Sequence, residues 1–233
     1  MKLPAPLHPW AVTPVEAIAI QRRLRRRVVE EKPAGPFRLI AGLDAAFPRD
    51  GRWCIAAVVL WDARERRVVE QHVAAARLRF PYIPGLLSFR EAPALLAALG
   101  RLRRRPHALL CDGQGRAHPR RFGIACHVGV LTGLPSIGCA KSRLTGSHRE
   151  PGARRGSSVV LADGPEPIGA VLRTRDGVKP VYVSVGHHMD LATARRIVLA
   201  CGGGFRLPEP TRLADQRVNA AARRPLRRGY PTA

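Results

Sequence analysis

Between Phe37 and Phe80 the chain carries three apolar stretches joined by connections too short to cross a sheet. They are Phe37–Phe47 (FRLIAGLDAAF), Trp53–Trp61 (WCIAAVVLW) and Arg66–Phe80 (RRVVEQHVAAARLRF). Pro48-Arg49-Asp50-Gly51 links the first two, and the polar turn Asp62–Glu65 links the last two. Parallel neighbours need a crossover of about a dozen residues or more. These connections therefore predict an antiparallel meander.

The pattern on either side is different. Thr13-Pro14-Val15-Glu16 offers an N-cap, a proline at the first helical position and a capping-box glutamate. The helix it starts is expected to run to about Glu31, with Gln21–Arg27 (QRRLRRR) as a basic face. After the stiff loop Pro81–Gly85, helices are predicted at Ser88–Arg104 and Phe122–Leu131, and strands at His107–Cys111 and Pro135–Cys139. The Pro- and Gly-containing loop Ser147–Gly156 follows. Strands are then predicted at Ser158–Leu161, Ile168–Arg173 and Val181–Val185, and helices at Leu191–Cys201 and Thr211–Arg224. A meander followed by alternating helices and strands predicts an α/β fold in one domain over residues 1–233. Its central mixed sheet would hold the antiparallel meander, then parallel strands, with helices on both faces. A frayed basic tail is expected from about residue 225. Ligands of such folds sit at strand ends where the connectivity switches.

Lys and Arg number 40 against 17 Asp and Glu, a formal charge of +23. With 45% apolar residues the chain can bury a core, which excludes a disordered polycation. The excess of cations points to a phosphate polymer as partner. No stretch approaches the roughly 20 apolar residues of a membrane helix. Met1–Trp10 lacks the charged start and apolar run of a signal peptide. A cytoplasmic protein with no membrane partner is expected. The five cysteines are odd in number and lack C-x-x-C spacing, so they read as buried thiols.

Four carboxylates stand out by position. Asp44 lies inside an apolar strand, where Ile40, Gly42 and Ala46 share its face by alternation. A charge there needs a cation or an arginine partner, and both readings stand open. Asp112 closes the apolar run Ala108–Cys111, at the crevice or simply in an Asp-Gly turn. Glu91 follows Ser88 at capping-box spacing, so it is either a cap or a site residue. Asp215 falls in the first turn expected for the last helix, where any acid suits the helix dipole. As a group with no Cys/His zinc pattern, they suit hard, oxygen-seeking cations such as Mg²⁺ or Mn²⁺. In a strongly basic chain, an acidic metal site suggests phosphodiester cleavage.

The stretches that hold these residues resemble the endonuclease V family of inosine-directed nucleases, within the ribonuclease H-like superfamily. They are AGLDAAF (Ala41–Phe47), PYIPGLLSFREAP (Pro81–Pro93), DGQGRAHPRRFGIACHVGVL (Asp112–Leu131), PSIGCAKSRL (Pro135–Leu144), VKPVYVSVGH (Val178–His187) and RLPEPTRLAD (Arg206–Asp215), in the family's order over most of the chain. The resemblance implies a ribonuclease H-like fold and metal ligation by Asp44, Glu91 and Asp112. Asp215 matches a fourth, less uniform ligand position. It implies that Lys141 meets the scissile phosphate. Tyr82, framed by Pro81, Ile83 and Pro84, would be a wedge entering the gap left by a flipped base. Gly85, Leu87, Gly113, His118 and Ile124 would form the base pocket; His118 is otherwise a structural histidine of its own loop. His187 matches a family histidine and His188 a variable position, and neither is given a catalytic role. Asp190 reads as a helix N-cap.

The implied activity is that of a monomeric, Mg²⁺-dependent repair endonuclease, with Mn²⁺ as a substitute. It would recognise deoxyinosine in double- or single-stranded DNA and hydrolyse the second phosphodiester 3′ to the lesion, leaving 3′-OH and 5′-phosphate ends. Inosine-containing RNA is the alternative substrate. A catalytically idle inosine reader is the alternative class, and a generic ribonuclease H-like nuclease would not need the PYIP and DG-x-G-x-x-HPR loops.

Overall fold

In the computed structural model, which describes residues 1–223, the meander forms as its turns require. Its strands are β1 (Leu39–Ala46), β2 (Trp53–Asp62) and β3 (Arg67–Arg77), paired antiparallel. Asp62 holds the second turn by accepting the N–H groups of Arg64 and Glu65 and pairing with Arg38.

The chain then builds on the other edge of β1. Helix α2 (Leu87–Gly100) leads to β4 (Ala108–Cys111), and α3 (Ile124–Thr132) leads to β5 (Ser136–Ala140). Each helix serves as a crossover, so β1, β4 and β5 run parallel. Beyond β5 come β6 (Ser158–Asp163), β7 (Glu166–Leu172) and β8 (Val181–His187). No helix separates these three, and they return antiparallel, with β8 beside β5. The parallel part of the sheet is thus confined to three strands. The full order is β3-β2-β1-β4-β5-β8-β7-β6.

Strand alternation sorts the core into two layers. Ala41, Leu43, Leu109 and Cys111 face α2 and α3, packing on Leu95, Leu99, Ala125 and Val128. Ile40, Leu110, Ile137 and Val183 face α4 (Leu191–Ala200), while Ile55, Ala57 and Val59 face α5 (Glu209–Ala222). Each fully buried leucine here contributes about 2 kcal/mol. The five cysteines are free and buried. Among the described residues no helix is long and apolar enough to cross a membrane.

Several element ends differ from expectation, and at the ends of α1 and α2 a tertiary partner takes the backbone. Helix α1 (Pro14–Leu24) has its capping box, then tightens into a single 3₁₀ turn at Arg25–Arg27 and stops short of Glu31. Val28 turns extended, and the N–H of Val29 donates to His187 Nδ1. Helix α2 ends at Gly100 rather than Arg104, because Glu70 accepts the N–H groups of Arg103 and Arg104. The Ser88–Glu91 capping box does not form: Ser88 lies inside the helix, with its Oγ 2.9 Å from His127 Nδ1. Helix α5 starts at Glu209, which puts Asp215 in the second turn and removes the dipole explanation for it. Asp190 does cap α4, accepting the N–H of Thr193. The expected tail from about residue 225, and the last residue of the final predicted helix, lie outside the described residues.

Candidate active site

The acidic residues meet where β1 and β4 end side by side. The N–H of Asp112 donates to the carbonyl of Leu43, so Asp112 leaves β4 next to Asp44. Asp44 lies on the α5 face, and the close approach of that helix depends on Gly42. A Cβ at position 42 would lie 2.1 Å from the carbonyl carbon of Pro210. With only hydrogen there, α5 carries Asp215 to the same point. One carboxylate oxygen from each of Asp44, Asp112 and Asp215 falls within 4.8 Å of the others.

Lys141 follows β5 and neutralises part of this charge. Its Nζ lies 2.6 Å from Asp112 Oδ2 and 2.8 Å from Asp215 Oδ1. The electrostatics follow from crowding in a dry place. Burial, then the charge of Asp112, pushes the Asp44 carboxyl up, against the pull of Lys141. Asp112 is also raised by burial, although Lys141 opposes this. Asp215 is half-buried, and the Lys141 contact outweighs burial and holds it low. The Lys141 ammonium is raised, because its two carboxylate hydrogen bonds outweigh its own burial.

Glu91 stands apart from this trio. It is buried on α2 and lies outside the group whose oxygens converge. Burial, then the charges of Asp44 and Asp112, raises it to about 8. The four carboxylates therefore divide into three convergent groups and one buried neighbour.

Beside this centre lies a cavity of about 360 Å³. Asp112 and Lys141 belong to its wall, together with Tyr82, Ile83, Pro84, Gly85, Leu87, Gly113, His118 and Ile124. Pro81 flanks the cavity as an exposed residue. Tyr82 is 69% exposed, so it stands out from the loop rather than folding onto the core. Gly113 has φ +154°, and a Cβ there would meet Ile124 Cγ2 at 2.6 Å. His118 is buried, and burial, then the charge of Arg120, lowers it to about 4. Its Nδ1 accepts the Arg120 N–H, and its Nε2 donates to the Gly85 carbonyl. Both ring nitrogens are thus used inside the protein, as a loop-holding histidine requires. His187 and His188 are engaged elsewhere, with Val29 and Glu31.

Two cavity residues carried no signal in the sequence. Gln114 ties its loop to the Lys141 segment by donating Nε2 to the Ser142 carbonyl. Gln21 is 1% exposed and reaches the cavity from α1. It lies within a run of arginines and reads there as part of a solvated face.

An eight-stranded mixed sheet of this order, with acidic groups at the ends of its central parallel strands, is a ribonuclease H-like α/β fold. Comparison with known proteins narrows this class. The sequence model of the family described as Endonuclease V matches residues 22–216. The Endonuclease V of Roseiflexus sp. (strain RS-1) is 52% identical over 207 residues, which cover 89% of this chain and 92% of that protein. The crystal structure of Endonuclease V from Streptomyces avermitilis aligns with a TM-score of 0.88 at 47% identity, covering 94% of this chain and 96% of that one. Endonuclease V from Ciona intestinalis, solved in complex with a 24mer DNA containing an inosine followed by a ribo-adenosine, aligns with a TM-score of 0.76 at 25% identity, covering 89% of this chain and 96% of that one. The chain belongs to the endonuclease V family and is an endonuclease.

Proposed function

We propose that the protein is a divalent-metal-dependent repair endonuclease that recognises deoxyinosine, the product of adenine deamination, in DNA. It hydrolyses the second phosphodiester bond 3′ to the lesion and leaves 3′-OH and 5′-phosphate ends. The observation that carries this reading is the shared wall: Asp112 and Lys141 belong both to the acidic centre and to the cavity that would take a base. The Ciona relative with inosine-containing DNA supports the choice of substrate.

The donor set fits Mg²⁺, with Mn²⁺ as a substitute. Asp44, Asp112 and Asp215 offer hard carboxylate oxygens without sulfur or imidazole, and the crowding of their charges favours a cation. These three residues would hold it, with Glu91 behind them. When bound, the ion lowers the pKa of a coordinated water and neutralises charge on the phosphate oxygens. Lys141 draws the scissile phosphate in as a point charge. Tyr82 fills the gap in the stack left by the flipped nucleotide. Gly85, Leu87, Gly113, His118 and Ile124 enclose the base closely enough to reject the exocyclic amine of guanine.

End-labelled duplexes with one deoxyinosine, or none, test this with Mg²⁺ and with chelator. A single metal-dependent nick, one nucleotide beyond the lesion, is expected. Asp44→Ala and Asp112→Ala should each lower its rate by roughly a thousandfold, within the range for lost transition-state charge stabilisation. Equal cutting of both duplexes would discard the base pocket, and cutting in chelator would discard the metal.

A further inference from the structure

Three side chains converge on one carbonyl oxygen, that of Gly85. His118 Nε2 lies 2.9 Å from it, Arg120 Nη2 2.6 Å and Gln21 Nε2 3.0 Å. The tautomer of His118 follows from its other bond. Its Nδ1 accepts the Arg120 N–H, so Nε2 carries the proton and donates. A peptide oxygen has two lone pairs. With three donors it has no capacity left for the N1–H of a bound purine.

Gln21 joins the parts. Its Nε2 also lies 3.1 Å from the carbonyl of Phe122, and its Oε1 accepts from Arg120 Nε. Gly85 belongs to the Pro81–Leu87 wall of the cavity, and Phe122 to the segment that follows Asp112. Gln21 belongs to neither: it reaches both from α1, one residue before the stretch the family model matches. Gly85 is also left-handed, with φ +79°, and a Cβ there would meet Arg120 Nη2 at 2.8 Å. The glycine is thus explained by the packing of Arg120 as well as by the turn.

We infer that Gln21 is a specificity-determining positioning residue. With Arg120 and His118 it pins the Gly85 carbonyl and sets the spacing between the two walls that would enclose the base. This deepens the proposed function and rests on it for the identity of the base. A glutamine that merely satisfied buried backbone would affect stability. One that sets wall spacing also affects the preference for the lesion.

Gln21→Glu keeps an acceptor for Arg120 but sets a carboxylate oxygen against the Gly85 carbonyl. Gln21→Met keeps the length and removes every polar contact. Fluorescence anisotropy on the full chain, with chelator present so that the DNA stays whole, gives affinities for a deoxyinosine duplex and its undamaged counterpart. The ratio cancels general losses, including the charge added by glutamate. Both variants should lower the inosine preference by about tenfold, the scale of one lost polar contact near a charge. A preference within about twofold of wild type, well under one hydrogen bond, would overturn the inference. Hydrogen exchange over residues 81–87 reads the clamp without substrate: faster exchange in the variants is expected, and unchanged exchange overturns it. If the Gln21 variants do not fold, Arg120→Lys, which keeps the charge and loses the planar fork, gives the same two readings. If the wild type itself shows no inosine preference, the proposed function fails, and exchange alone decides the clamp.

Discussion

His118 has both ring nitrogens in use and little contact with water, so the fold accommodates only its neutral form. Burial, then the charge of Arg120, brings its pKa from 6.5 to about 4. Between those values the unfolded chain binds a proton that the folded chain refuses, so stability falls as pH drops. The full shift corresponds to ~3 kcal/mol. Glu91 acts in the opposite sense. Its carboxyl is raised from 4.5 to about 8, so the folded state holds the proton more tightly and stability falls as pH rises through that window. The two windows overlap and the two groups oppose each other, so only a comparison with a His118 variant isolates the histidine. Urea unfolding of wild type and His118→Asn at about pH 7 and about pH 4.5 is expected to show a stability change on acidification that is more favourable by about 2 kcal/mol in the variant. Equal changes would remove His118 as an acid-sensitive group.

Helix α5 supplies Asp215, and its seating on β1 depends on the missing side chain at Gly42. A methyl group there would collide with the backbone of Pro210, which cannot swing aside as a side-chain end can. Gly42→Ala is expected to cost about 2 kcal/mol, the scale of overpacking. At a temperature where the variant is still folded, it should also cut much more slowly than wild type, because Asp215 is carried away from Asp44 and Lys141. A variant that is destabilised but cuts like wild type would show that the seating of α5 matters to the fold alone. The same element marks where sequence reading runs out. Asp44 and Asp112 were legible because strand alternation and a run's end have local signatures. The meander was legible because short turns leave one topology. The antiparallel return of β6–β8, the true start of α5 and the burial of Gln21 depend on partners distant in the chain. Glu70, His187 and Gly85 decide where α2, α1 and Gln21 end up, and no local pattern encodes those contacts. Lys141 was brought into the site only by the resemblance to a family, and Asp215 stood out only as one of four carboxylates whose meeting point no local pattern gives.

The charge of +23 is unevenly neutralised over the molecule. Around the Arg116–Arg121 loop, Glu30, Asp163 and Glu166 pair with Arg116 and Arg121. Along α1 and its 3₁₀ extension, Arg22, Arg25 and Arg26 are exposed instead. They flank the buried Gln21 that lines the cavity, and the charge of Arg22 is close enough to lower Arg120. Under the proposed function, exposed cations on the helix that carries Gln21 would offer a track for the phosphates next to a bound nucleotide. Each phosphate neutralised on duplex DNA contributes a slope of about −0.9 to log affinity against log salt. The triple variant Arg22→Gln, Arg25→Gln, Arg26→Gln should therefore bind undamaged duplex with a slope shallower by about 2 to 3. Arg103, Arg104 and Arg105 provide the control, since they are exposed beyond the far end of α2, whose 14 residues span about 21 Å. Changing those three to glutamine removes the same charge and should leave the slope nearly unchanged. Titrations over a range of KCl concentrations separate the two cases. A shallower slope in the first variant alone means that α1 touches the backbone. Equal changes in both would mean that the DNA responds to the field of the whole molecule and that α1 has no privileged contact.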